Sequence, residues 1–146
     1  MFQTFVNNYN IFSGEYLATL GDWVFYKVVV EGTMTSANVK LACDNAGLVT
    51  PCSGGDSSCQ YNDEHCTITS QTDCSSPMKS VSTDICNASP STCSQFDSVY
   101  AYMYNWNSGA ACGVNQGSWC ANGNNFDNKF AFCASRIGKL LTKFRK

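Results

Sequence analysis

Ten cysteines are the residues of this chain best able to do chemistry: Cys43, Cys52, Cys59, Cys66, Cys74, Cys86, Cys93, Cys112, Cys120 and Cys133. Thiols at this density either hold metal or cross-link the chain. Zinc ribbons and fingers need close ligand pairs such as C-x-x-C. The tightest spacing here leaves six residues between partners, at Cys52–Cys59, Cys59–Cys66 and Cys86–Cys93. His65 is the single histidine, so a two-histidine site is excluded. The even count favours five disulfides instead. Each would constrain the unfolded chain by about 2–4 kcal/mol. Such bonds persist in oxidising compartments, so the expected location is secreted, extracellular.

Catalysis finds little support. A Ser or Cys nucleophile needs a basic partner, most often His. His65 stands alone beside Cys66 and reads as a loop histidine. Asp63 and Glu64 are sequence neighbours in a cysteine-rich loop, and nothing sets them across a glycosidic bond. No glycine-rich phosphate loop follows a strand. The chain reads as non-enzymatic and without a cofactor. Calcium is the one ion with candidate ligands, because it takes six to eight oxygens. Asn122, Asn124, Asn125, Asp127 and Asn128 form one oxygen-rich loop, and Asp56, Asn62, Asp63 and Glu64 another. Neither has the EF-hand pattern, and plain Asn-Gly turns are the competing reading. Of these, Asn122, Asn124 and Asp127 are the candidate metal residues. Asn87-Ala88-Ser89 is a glycosylation sequon, with Pro90 directly after it.

The aromatic pattern over residues 97–107 bears most on binding. Tyr100, Tyr102, Tyr104 and Trp106 alternate, so a strand there puts all four on one face. Val99, Ala101 and Met103 take the other. Exposed, the face is a platform for sugar rings, with Asn105, Asn107, Asn115 and Gln116 nearby. Buried, it is core with its hydroxyls bonded internally. The candidate ligand residues are Tyr100, Tyr102, Tyr104, Trp106 and Asn107.

Several elements must position these residues. Residues 22–32 are rich in β-branched and aromatic types and apolar on both faces, which predicts a central strand. A helix follows, with Thr35 or Ser36 as N-cap, Val39, Ala42, Cys43 and Ala46 on one face, and Gly47 past its end. Residues 50–95 hold six cysteines among Ser, Thr, Gly, Asp and Pro, and only residues 78–86 suggest a short helix. Residues 129–134 predict a last strand carrying Cys133. Residues 1–20 hold Phe2, Phe5, Tyr9, Phe12 and Tyr16 without one period, as an edge strand or an N-terminal arm.

Residues 136–146 change character. Ile137, Leu140, Leu141 and Phe144 share one helical face, and Arg136, Lys139, Lys143, Arg145 and Lys146 are five of the nine basic residues. The rest of the chain holds four basic and eleven acidic residues, a net of −7. The domain reading is an arm over 1–20, a disulfide-rich globular domain over 21–135, and a basic amphipathic helix or tail over 136–146. The chain has 146 residues, 44% hydrophobic and 14% charged, enough for one modest core. The expected class is α+β: a mixed or antiparallel sheet, one or two short helices and long cysteine-stapled loops. No apolar run is long enough to span a membrane. Met1-Phe2-Gln3 does not open a signal peptide, so the expectation is a mature piece whose leader is missing.

Phe25 to Gly47, with the ending Phe130-Ala131-Phe132-Cys133, resembles C-type lectin-like and link modules. The resemblance implies a disulfide between Cys43 in the first helix and Cys133 in the closing strand. It also implies a second between Cys112 and Cys120. The calcium-binding tripeptides of sugar-binding members (Glu-Pro-Asn, Gln-Pro-Asp, Trp-Asn-Asp) are absent, and the central six-cysteine stretch has no counterpart. The chain is also similar to cysteine-rich domains of secreted animal proteins with the same strand–helix–Cys opening. The leading expectation is an extracellular recognition or adhesion module taking a glycan or a protein. The second is a structural subunit of a self-assembling filament or matrix, a homo-oligomer contacting through residues 1–20 and 136–146. The third is a secreted defence or toxin-like protein, its tail on a membrane surface. Nucleic acid does not suit an acidic extracellular body.

Overall fold

In the computed structural model, residues 2–4, 13–51, 76–103 and 105–137 are described. The candidates Tyr104, Cys52, Cys59, Cys66, Cys74, His65, Asp56, Asn62, Asp63 and Glu64 lie outside them, as do residues 5–12 of the arm and the tail beyond Ile137.

The fold is α+β, as composition and pattern predict. Among the described residues seven strands form one mixed sheet: β1 (Phe2–Thr4), β2 (Ser13–Leu20), β3 (Trp23–Val29), β4 (Val99–Ala101), β5 (Cys112–Asn115), β6 (Ser118–Asn122) and β7 (Phe130–Arg136). Their order is β1-β2-β3-β7-β4-β5-β6. The β4–β7 pair is parallel and the others are antiparallel. Among the described residues the α-helices are α1 (Ser36–Asn45) and α2 (Ser76–Cys86). Among the described residues no helix is long and apolar enough to cross a membrane.

β3 is central because both its faces are apolar. It pairs with β7 without a break from Trp23↔Arg136 to Val29↔Phe130. Val24, Tyr26 and Val28 point to one core cluster with Ala131 and Cys133 of β7. Trp23 and Phe25 point to the other, with Phe132 and Ala134. This period-two division follows from strand geometry. The first cluster is capped by Val39 and Cys43 of α1, the second by Met78 and Val81 of α2. Phe25 and Phe132 stack at 5.4 Å between ring centroids in the second cluster.

α1 begins as its sequence requires. Thr35 is the N-cap, and its hydroxyl accepts the Asn38 N–H at 3.0 Å. Gly47 follows the helix with φ of 76°, the left-handed geometry that glycine tolerates. Cys43 reaches from the helix to Cys133 in β7, the pairing the resemblance implies. Their Cα atoms are 5.5 Å apart across 90 residues of sequence. Cys86 at the end of α2 bonds to Cys93. Formed disulfides are consistent with an oxidising compartment.

Two expectations about extent change. Ser13–Leu20 is a full member of the sheet, paired with β3 from Glu15↔Lys27 to Leu20↔Trp23. The strand expected over 97–107 is only three residues long and stops at Ala101. Its continuation is bonded elsewhere: the Met103 N–H donates to the Ser36 hydroxyl at 2.9 Å rather than to a neighbouring strand.

Candidate functional site

Tyr100 and Tyr102 share a face, as their alternation predicts, but that face is the core beneath α1. Tyr100 is fully buried and Tyr102 nearly so. The reason is cover on both faces: Tyr100 and Tyr102 pack with Val39 and Cys43 of α1, and Val99 and Ala101 pack with Met78 and Val81 of α2. The Tyr100 ring leans on Phe126 at 6.1 Å. Its hydroxyl is buried without a hydrogen-bond partner. Burial, with a smaller contribution from Asp97, pushes its pKa up to about 12. These two residues therefore present no platform to solvent.

Trp106 and Asn107 have a different setting. Beyond Ala101 the chain leaves the sheet and forms a loop that returns at Ala110. Asn105, Asn107 and Ser108 all adopt positive φ, of 58°, 42° and 57°. Asn tolerates this region through local hydrogen bonding, whereas Ser adopts it at a cost. Trp106 sits half-buried between exposed Asn105 and Asn107. Its carbonyl accepts the N–H groups of Gly109 (2.9 Å) and Ala110 (3.0 Å), which closes the turn.

One hydroxyl holds the base of this loop. Ser36, in the first turn of α1, shares its proton between the carbonyls of Met103 (2.9 Å) and Ala110 (3.0 Å) while accepting from the Met103 N–H. Both ends of the loop are thus fixed to the rigid end of a helix. The segment next to Ser36 binds two more strips of backbone. Met34 N–H donates to Phe126 at 2.9 Å, and the Met34 carbonyl accepts from Ala111 at 3.0 Å.

The Asn-rich loop after β6 joins the same surface. Asn122 Oδ1 accepts the Asn124 N–H at 2.9 Å, which caps a short 3-10 turn over Gly123–Asn125. Asn124 Nδ2 donates to the Asn107 carbonyl at 3.1 Å and reaches that of Ser108 at 3.5 Å. Asn128 Oδ1 accepts the Gly32 N–H at 2.8 Å. Asp127 is exposed, and its backbone bridges to Thr33. So Asn122 and Asn124, candidate calcium ligands by type, bond to backbone here. Among the described residues no group of three His, Cys, Asp or Glu side chains gathers to hold a metal ion. Gly123 is required at this junction, because an added Cβ would run into the Met34 carbonyl oxygen.

Cys112 and Cys120 face each other across the β5–β6 hairpin, with sulfurs 3.0 Å apart. That distance is a contact, since a disulfide bond measures about 2.05 Å. Each of the two is in a disulfide, but at 3.0 Å their sulfurs are not bonded to each other, so the second pairing that the resemblance implies is not the one formed. Asn87 lies exposed at the end of α2, with φ of 52°.

Trp106 thus lies partly buried between exposed Asn105 and Asn107, on a loop that Asn124 ties to the 122–128 loop. Apolar sugar faces stack on such rings, and amides pair with sugar hydroxyls. Comparison of the chain with protein-family models, curated proteins and solved structures finds no match. Sequence reasoning reached Trp106 and Asn107 through their types. It treated Ser36 as a helix cap and passed over Gly123, because their roles are contacts with residues far along the chain.

Proposed function

We propose that this chain is a non-enzymatic extracellular recognition module that binds a neutral glycan through Trp106, Asn105, Asn107 and the adjoining 122–128 loop. The observation that carries the reading is the backbone at Asn105, Asn107 and Ser108. Three non-glycine residues in four are at positive φ around a partly buried tryptophan. At Ser108 such a conformation costs about 1–3 kcal/mol and persists where the surrounding structure imposes it, which is common at binding sites; Asn adopts it more readily. Around this segment Ser36 bonds to the Met103 and Ala110 carbonyls and Asn124 to that of Asn107. Support also comes from the Cys43–Cys133 bond joining the first helix to the closing strand, a pairing that the resemblance to C-type lectin-like modules implies.

The test is a glycan array with the native chain and Trp106→Ala, repeated with a chelator. The expected result is binding that falls at least about tenfold in Trp106→Ala, in keeping with about 1–3 kcal/mol for an aromatic stacking contact. Both proteins should melt at similar temperatures. Absence of any glycan ligand, or equal binding by the two, would overturn the proposal. The structural-subunit reading has its own support in the exposed side chains of Tyr16, Val29 and Leu41. A large particle in light scattering at micromolar concentration would favour it.

A further inference from the structure

Asn87 opens the chain's one Asn-X-Ser/Thr sequence with X other than proline, Asn87-Ala88-Ser89. An asparagine in that pattern can accept an oligosaccharide, and the folded protein must then leave it at the surface. Asn87 follows directly on α2 and lies exposed, with φ of 52°. Asparagine is among the residues that enter left-handed backbone most readily. Its N–H closes the helix by donating to the Thr83 carbonyl at 2.9 Å. Its side-chain amide has no hydrogen bond among the described residues. Asn38, Asn122, Asn124 and Asn128, by contrast, bond through their amides to backbone groups. Ser89 is exposed and extended, with φ of −70° and ψ of 160°. Pro90 favours that backbone, because the residue before a proline is kept out of the helical region. The Ser89 hydroxyl contacts those of Ser91 (3.1 Å) and Thr92 (3.4 Å).

We propose that Asn87 carries an N-linked glycan, attached in the same oxidising compartment that forms the disulfides. In the transfer, Asn87 Nδ2 attacks C1 of an oligosaccharide held on a polyprenyl diphosphate. The N–C1 bond forms, and the C1–O bond breaks with its electron pair going to the diphosphate. One Nδ2 proton leaves to a base of the transferase. The Ser89 hydroxyl is the group that the pattern requires beside the acceptor amide. The fold accommodates the product. The Cys86–Cys93 bond closes the span of 7 that holds the sequon, so the glycan stands on a stapled turn. α2 packs through Met78 and Val81 on the second core cluster. Val39 and Cys43 of α1 pack on the first, on the other face of the sheet. The glycan therefore leaves from the α2 side, whereas Ser36, at the base of the Trp106 loop, belongs to α1. The modification is independent of whether the Trp106 loop binds sugar.

The test is intact mass spectrometry of the full chain, sent through the secretory pathway of a eukaryotic cell by an added leader that is removed on export. The expected result is a mass above the 15.9 kDa of the bare chain. An amidase that releases N-linked glycans should return it to that value and leave aspartate at position 87 in the peptide map. Ser89→Ala alters an exposed side chain, leaves Asn87 in place and should emerge at the bare mass. Asn87→Gln should do the same. Ser89→Thr should keep the glycan, since either hydroxyl completes the pattern. Disulfides counted by mass against a reduced sample show that each variant has folded. Two results would overturn the proposal. A bare mass in the native chain with its disulfides formed means that Asn87 is not an acceptor. Added mass that survives the amidase, or persists in Ser89→Ala, places the modification elsewhere.

Discussion

Replacing Ser36 by Ala should loosen the candidate binding loop while leaving the sheet intact. The Ser36 side chain is 6% exposed, and its hydroxyl serves three backbone groups: the Met103 and Ala110 carbonyls and the Met103 N–H. One proton shared by two acceptors counts as one bond, and the accepted N–H as a second. Each contributes about 1 kcal/mol net, so the expected loss is about 2 kcal/mol. In a chain of this size that lowers the melting temperature by about 4–8 °C. Thr35 still caps α1, so helix content should not change. The assay is urea unfolding with disulfides intact, together with hydrogen exchange at the Met103 amide. That amide should exchange faster in the variant, while amides of β3 and β7 keep their relative protection. A cost below about 0.5 kcal/mol with the Met103 amide unchanged would show that this hydroxyl does not hold the loop.

Two further outcomes test the core. Tyr100→Phe removes a buried hydroxyl with no partner, so stability should stay level or rise by about 1 kcal/mol; a loss above about 1 kcal/mol would reveal a bond the hydroxyl makes. The same tyrosine sets an alkaline limit. Its folded pKa of about 12 lies above the ordinary value of 10.0. The fold therefore favours the neutral phenol. That contribution is complete below about pH 10 and is lost as pH rises toward about 12. Circular dichroism from pH 8 upward should show unfolding in that window, and Tyr100→Phe should flatten it. Burial raises Tyr26 in the same direction, so some slope should remain. For the disulfides, the Cys43–Cys133 bond closes a span of 90 residues and Cys86–Cys93 a span of 7. Chain entropy assigns about 4–5 kcal/mol to the first and about 2–3 kcal/mol to the second. Paired Cys→Ala variants in denaturant unfolding should fall in that order, and the reverse order would contradict it.

Much of the fold is legible in the chain. The apolar run at residues 22–32 reads as a central strand, and β3 is one, because a strand apolar on both faces needs cover on both. The Thr35–Ser36 doublet and Gly47 mark the two ends of α1, since capping depends on local backbone geometry. The candidate site is less legible. Trp106 and Asn107 stand out by type, but their setting depends on Ser36, about seventy positions earlier, and on Asn124. No local signal announces that Ser36 bonds to Met103 rather than merely beginning a helix. Val99 to Trp106 reads as one strand because alternation continues past Ala101, while the backbone leaves the ladder there.

The sequence by itself determined that Tyr100 and Tyr102 share a face, that Val99 and Ala101 share the other, and that so cysteine-rich a chain would carry disulfides. Those are consequences of a two-residue period and of thiol chemistry, and both are local. Only the tertiary structure decided that the tyrosine face is core. β4 lies between β7 and β5 and under α1, so the ring that alternation alone would leave free for a ligand is enclosed. Periodicity states which side chains point together; what they meet depends on elements that arrive from far along the chain.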